Sequence, residues 1–204
     1  MANQVDIGKT RTVVQGILAL LGTKVGRTEL VKLVYLSDTR FYESTGRTIT
    51  GNTYMWDHYG PNAVGHAVAN EADEMADKSI IRMAVRPSAY DGFGYDYWVD
   101  DPNMTWDAIE GLLDSGERQV LMDVAKQYGR LSLASLVRRS KQTKPFSKAK
   151  KYGILALEQD KRAQEIRRRL DSTGEFLEEA EAGLRDSEAK KWIEGDNLDA
   201  FTRS

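Results

Sequence analysis

Few side chains in this sequence can do proton or metal chemistry. The 204 residues include two histidines, His58 and His66, and no cysteine. Zinc sites are closed by thiolate, imidazole or carboxylate ligands at close spacing. Here no thiolate exists and no third ligand accompanies the histidines at motif spacing. A cysteine nucleophile and structural disulfides are excluded outright. There is no glycine-rich phosphate loop and no Gly-x-Ser-x-Gly elbow. Asp57 and the pair Asp100-Asp101 stand without a partnered acid or base. Either histidine could serve as a general base, but the residues form no catalytic constellation. The expectation is a non-enzymatic chain with no metal and no cofactor.

The remaining chemistry is that of recognition. Trp56-Asp57-His58-Tyr59 is a cluster of the side-chain types that dominate interface hot spots. On a strand, Trp56 and His58 would share one side, Asp57 and Tyr59 the other, and one set would be core. Lys32, Tyr35 and Asp38 recur every three residues and so share a helix face. That face is either an interaction surface or an internal one, with Tyr35 packed and Asp38 paired locally. Arg138, Arg139, Lys141, Lys144, Lys148, Lys150 and Lys151 form a basic run with no acid between them. Such a run contacts DNA phosphates, meets an acidic protein surface, or is a solvated face. A formal net charge of -2 and a pI near 5.8 count against nucleic acid as the partner.

These residues need elements to position them. Val13, Val14, Ile17, Leu18 and Leu21 give a helix over about 9–21 one apolar face. A second helix, with Thr28 as its N-cap, carries Leu30, Leu33, Val34, Leu36 and Phe41 inward and ends at Gly46. Residues 48–59 are rich in β-branched and aromatic types and predict a short strand or hairpin, stopped by Gly60-Pro61. A third helix follows from Asn62 or Ala63 to Asp77. Strands at 80–85 and 95–99 flank the loop from Pro87 to Gly94. Ser115 caps a helix whose apolar positions run through 118–128, and Leu131-Ser132 starts another that reaches Lys141. Pro145-Phe146 closes that section. Leu157 to Trp192 is highly charged and predicts one or two further helices. There Ile166, Leu170, Leu177, Ala180 and Leu184 approach a heptad seam, interrupted by Thr173, Gly174, Gly183 and Ser187.

The segment 30–61 carries a signature: Leu-Val-Lys-Leu-Val-Tyr-Leu-Ser-Asp over 30–38, then Gly46-Arg47, Ile49-Thr50-Gly51, Tyr54 and Tyr59-Gly60-Pro61. It resembles the Panacea domain of SocA-like antitoxins. A second block, Leu113 to Gly129 with Leu131-Ser132 and Leu136, resembles the late helix-turn-helix segment of that domain. Together they cover roughly residues 28–147. The chain departs from the pattern where the family often has Thr-His and Pro-Trp; Ser140-Lys141 and Pro145-Phe146 stand there. Gly46, Gly51, Gly60 and Pro61 read as structural members of the motif.

The expected fold is mainly α with a small antiparallel β element, an α+β class. A compact helical Panacea-like domain would span residues 1–156, with a charged helical extension over 157–204. The resemblance implies an antitoxin that neutralises a cognate toxin by direct binding, with delivery of the toxin to a cellular protease as a variant. A DNA-binding regulator using the helix-turn-helix-like segment 118–151 is the alternative. Candidate partner contacts are Lys32, Tyr35, Asp38, Trp56, His58, Tyr59, Arg138, Arg139 and Lys141. The heptad-like stripe offers a homodimer contact. No apolar stretch approaches the ~20 residues needed to span a bilayer, and the N-terminus lacks the features of a signal peptide, so a cytoplasmic protein without membrane contact is expected.

Overall fold

The Asp6 carboxylate accepts a hydrogen bond from the backbone N–H of Lys9, 3.0 Å away, and so caps the first helix, α1 (Ile7–Leu21). In the computed structural model, residues 6–88 and 92–157 are described. The elements that follow are β1 (Val25–Gly26), α2 (Arg27–Thr45), β2 (Tyr54–Met55), β3 (Asn62–Ala63), a 3₁₀ turn at Val64–His66, α3 (Ala67–Asp77), β4 (Arg82–Ser88) and β5 (Gly92–Trp98). Four helices complete the set: α4 (Trp106–Glu110), α5 (Ser115–Tyr128), α6 (Leu133–Lys141) and α7 (Lys144–Lys148). The architecture is mainly helical with a small antiparallel sheet.

Helix α2 is the axis of the domain. Every residue from Leu30 to Thr39 is buried, because α1, α3, α5 and α6 pack around it. A helix enclosed on all sides loses the usual division into apolar and polar faces. Its polar residues then need partners inside the protein, and those partners define the site described below. The core adds Val13, Val14, Ile17 and Leu18 of α1, Met75 of α3 and Leu121 and Val124 of α5, all at most 1% exposed. Leu155 and Leu157, past the last helix, join the same cluster.

The sheet has the order β1-β5-β4, wholly antiparallel, with Val25 opposite Tyr97 and Arg82 opposite Trp98. A second, two-stranded pairing sets Tyr54 opposite Ala63 and Met55 opposite Asn62, and Ile154 bridges Met55 from the other side.

Several local expectations are corrected. Gly26, not Thr28, is the N-cap of α2; the chain passes straight from β1 into the helix, and the Glu29 carboxylate reaches back to the Gly26 N–H at 2.9 Å. Asp114, not Ser115, caps α5, reciprocated by Glu117. The helix expected from Asn62 begins at Ala67, since Asn62-Ala63 pairs with β2 and Gly65 and His66 both take positive φ. The strand expected across 48–59 shrinks to Tyr54–Met55. Strand β1 and helix α4, capped by Thr105, were not foreseen. The ends of α2 at Gly46 and of α6 at Ser132 and Lys141 agree with the sequence reading. The charged stretch beyond Leu157, where the sequence reading placed a heptad-like stripe and expected a homodimer contact, lies outside the described residues. Among the described residues, no helix is long and apolar enough to cross a membrane.

Candidate interaction surface

The signature residues on α2 build two clasps. Asp38 forms the first. Its Oδ1 accepts from the backbone N–H groups of Ile49 (2.8 Å) and Thr50 (3.0 Å). Its Oδ2 accepts from the Tyr54 hydroxyl at 2.6 Å and from Thr50 Oγ1. The carboxyl is fully enclosed, and burial pushes it up to about 6 against the opposing pull of these hydrogen bonds. Thr50 Oγ1 in turn accepts from Asn52 N and Nδ2. Tyr35 packs edge-on against Tyr54, with ring centroids 5.0 Å apart, and shares a hydrogen bond with Thr143 Oγ1 at 2.6 Å. The Ile-Thr-Gly turn and Tyr54 are thus fastened to the same helix face.

Lys32 forms the second clasp. Its ammonium donates to the Pro61 carbonyl at 2.8 Å and lies 3.4 Å from the Gly60 carbonyl. Burial lowers its pKa to about 8; the Asp57 charge resists the shift and Lys141 adds to it. Lys141 on α6 donates to the His58 carbonyl. Gly60 sits at φ 86°, and a Cβ there would come 2.9 Å from Ser140 Oγ. Both its conformation and its proximity to α6 therefore require glycine.

Lys32, Tyr35 and Asp38 are consequently internal, at 2%, 0% and 0% exposure. The outward interaction face that they would have formed is replaced by an inward one: four helices enclose α2, and all three polar groups are spent on neighbouring loops or helices. What the clasps display is the loop between them. Trp56 stacks on Phe146 (centroids 5.7 Å, planes 17° apart) and meets His58 and Tyr152 edge-on. His58 Nε2 lies 2.7 Å from the Tyr152 hydroxyl. Trp56 is half-buried, whereas His58 and Tyr59 are exposed, Tyr59 by 60%. Simple strand alternation misjudges this loop, because only residues 54–55 are strand and the rest turns.

Beside Tyr59 a groove of about 760 Å³ runs between the β4–β5 hairpin and the first half of α6. Its apolar lining is Tyr59, Phe93, Tyr95, Leu133 and Val137. Phe93 is 67% exposed. Arg27 and Arg86 stand on the rim, each paired, with Asp73 and Asp96 respectively. Arg138 and Arg139 are exposed, and their side-chain bonds go to Ser135 and Gln142. Neither these two nor Lys144 or Lys148 has a carboxylate partner among the described residues.

Sequence reasoning missed Phe93 and Tyr152. An aromatic in the expected 87–94 loop was a usable signal for the first; nothing local marked the second. His66 Nδ1 lies 3.1 Å from Asn62 Nδ2, apart from the His58 cluster. No group of three His, Asp or Glu side chains able to hold a metal occurs among the described residues. The arrangement is equipped to bind: aromatic and cationic groups on a fixed backbone.

The sequence matches the family described as antitoxin SocA-like, Panacea domain, over residues 30–146. The chain belongs to that family. No curated protein and no solved structure matches it. The match starts in the first turn of α2 and ends in α7, so the matched region includes both clasps, the displayed loop and all of the groove's lining except Arg27 and Thr28. Helix α1 lies outside the match yet supplies a wall of the core. The family is associated with an antitoxin role and is generally non-enzymatic.

Proposed function

We propose that this chain is the antitoxin of a toxin–antitoxin pair. It acts in the cytoplasm and neutralises a cognate toxin by direct protein–protein binding through the loop that bears His58 and Tyr59. The observation that carries this reading is Tyr59, a large aromatic side chain 60% exposed on a backbone fastened by Lys32 and Lys141. A rigid exposed tyrosine loses little entropy on binding, so most of its contact area contributes to affinity. Trp56 supports the loop through Phe146 and adds its half-buried edge to the surface.

The test is co-expression with the product of the adjacent open reading frame. The neighbour alone should stop growth. This chain should restore growth and co-purify with it, and Tyr59→Ala should weaken the complex at least tenfold. A harmless neighbour that does not co-purify would overturn the reading. Delivery to a protease differs only in the fate of the bound toxin and would show as a shortened toxin half-life. A DNA-binding role is kept as a second reading, since α6 follows α5 after a short turn and its last turn carries Arg138, Arg139 and Lys141. Salt-sensitive retention on duplex DNA would favour it.

A further inference from the structure

A second groove, of about 310 Å³, lies where α7 meets the end of α2. Tyr42, Pro145, Ala149 and Ile154 give it apolar walls. Lys144 and Lys148, one turn apart on α7 and both exposed, belong to its lining. Neither ammonium has a carboxylate partner among the described residues. One acid, Glu43, is in the lining too and likewise forms no ion pair there. The groove thus sets two cations against one anion around an apolar floor.

The backbone brings the chain to this groove. The Leu155 N–H donates to the Tyr54 carbonyl at 2.8 Å, and the Leu157 N–H to the Leu155 carbonyl at 2.9 Å. Ala156, between them, is exposed and lines the groove. Residues 158–204 follow directly. Between Asp171 and Glu188 they hold seven acids and one base, Arg185. Within that stretch, Glu175-Phe176-Leu177-Glu178-Glu179 brackets two large apolar side chains with carboxylates. This is the complement of apolar walls flanked by ammonium groups. Asp171 follows Leu157 by 14 residues, at most about 50 Å of extended chain. A segment so tethered is presented to the groove at an effective concentration of about millimolar, which an untethered acidic partner would have to match.

We infer that residues 175–179 of this chain dock in this groove, with Phe176-Leu177 against Tyr42, Pro145 and Ile154 and the flanking carboxylates on Lys144 and Lys148. Such docking needs no toxin and stands apart from the antitoxin reading. It also occupies two cations of the basic run with the chain's own acids, so that fewer remain for phosphate.

The test is carbodiimide cross-linking of the full chain, which joins carboxylates to amines in direct contact, with the linked peptides identified by mass spectrometry. A mixture of ¹⁵N-labelled and unlabelled chains separates links within one chain from links between two. Same-label links from Glu175, Glu178 or Glu179 to Lys144 or Lys148 are expected. They should be at least fivefold more abundant than links from those acids to Lys126, which is exposed on α5 and outside the groove's lining. Phe176→Ser combined with Leu177→Ser leaves every carboxylate in place and should cut the yield at least fivefold. Links that favour no lysine, an unchanged yield in that variant, or no link at all would overturn the inference. Mixed-label links would give the groove to the segment of a second copy and overturn docking within one chain. Links from Lys144 or Lys148 to a co-purifying protein in place of residues 175–179 would overturn it in favour of that partner.

Discussion

Replacing Asp38 with alanine tests whether the first clasp holds the domain together. The substitution strips an acceptor from two backbone N–H groups and two hydroxyls. The hydroxyls can turn to other partners, but the amides of Ile49 and Thr50 cannot. Leaving them unpaired inside the protein costs about 1–3 kcal/mol each. Against this, the variant no longer buries a carboxylate. With the folded-state value at about 6 and the ordinary value at 3.8, that burial costs about 3 kcal/mol once the group is ionised, at about 1.4 kcal/mol per pH unit. Set against about 2–6 kcal/mol for the two amides, this leaves a net loss at pH 7.5 of about 1 kcal/mol. The pH dependence follows from the sign of the shift. A carboxyl whose folded value is raised binds its proton more tightly in the native state, so wild type gains stability as pH falls through 6. A protonated Oδ2 can donate to the Tyr54 hydroxyl, which reverses that bond rather than losing it. The gap between wild type and Asp38→Ala should therefore widen by about 1.4 kcal/mol on going from pH 7.5 to pH 5. Urea unfolding of both proteins at the two pH values measures it. A gap that narrows toward pH 5 would show that the hydrogen bonds outweigh burial at this carboxyl. A loss under about 0.5 kcal/mol at pH 7.5, within the range of ordinary surface substitutions, would show that Asp38 is no clasp at all.

Lys32→Met probes the second clasp from the opposite side of the pH scale. A lysine lowered to about 8 in the folded state gains stability as pH rises from 8 toward 10.5, so wild type should become more stable relative to the variant by about 1.4 kcal/mol between pH 7 and pH 9 in urea titrations. An unchanged gap would mean the ammonium is less enclosed than its position beside Pro61 implies. Gly60→Ala should cost about 1–3 kcal/mol through its positive φ and the contact with Ser140, read as a lowered melting temperature, whereas Gly111→Ala, with open space at its Cβ, should change little. Deleting residues 158–204 should leave a cooperatively unfolding domain with native near-ultraviolet dichroism; loss of that signal would place part of the extension in the core.

The sequence revealed the helices well, because periodicity and stop signals are local. Val13 to Leu18 repeat at helical spacing, and Gly46, at φ 74°, ends α2 where expected. The strands were less legible. Val25–Gly26 is two residues long and becomes a strand only because Tyr97 stands opposite. The face of α2 had two readings in the sequence, an interaction surface or an internal face, and burial selects the internal one. Spacing told correctly that Lys32, Tyr35 and Asp38 lie together, but not which way they face. Charged residues are rarely buried, and only the enclosure of α2 by four neighbours reverses that expectation. Tyr59 was legible as an aromatic at a turn. The groove was not, since Phe93 and Val137 meet only through the packing of a hairpin against α6.

The clasps hold the loop mostly through its main chain. Lys141 and Lys32 take the carbonyls of His58, Gly60 and Pro61, and Asp38 takes the amides of Ile49 and Thr50. Backbone groups are present whatever the side chain. An exchange of residues at positions 58 and 59 therefore leaves these main-chain bonds in place, much as an antibody loop varies on a fixed scaffold, although a change at 58 gives up the contacts of His58 with Trp56 and Tyr152. A lineage built this way can acquire a new partner through a few exposed substitutions while keeping the bonds that hold the loop, and two such proteins could share one backbone while recognising unrelated surfaces.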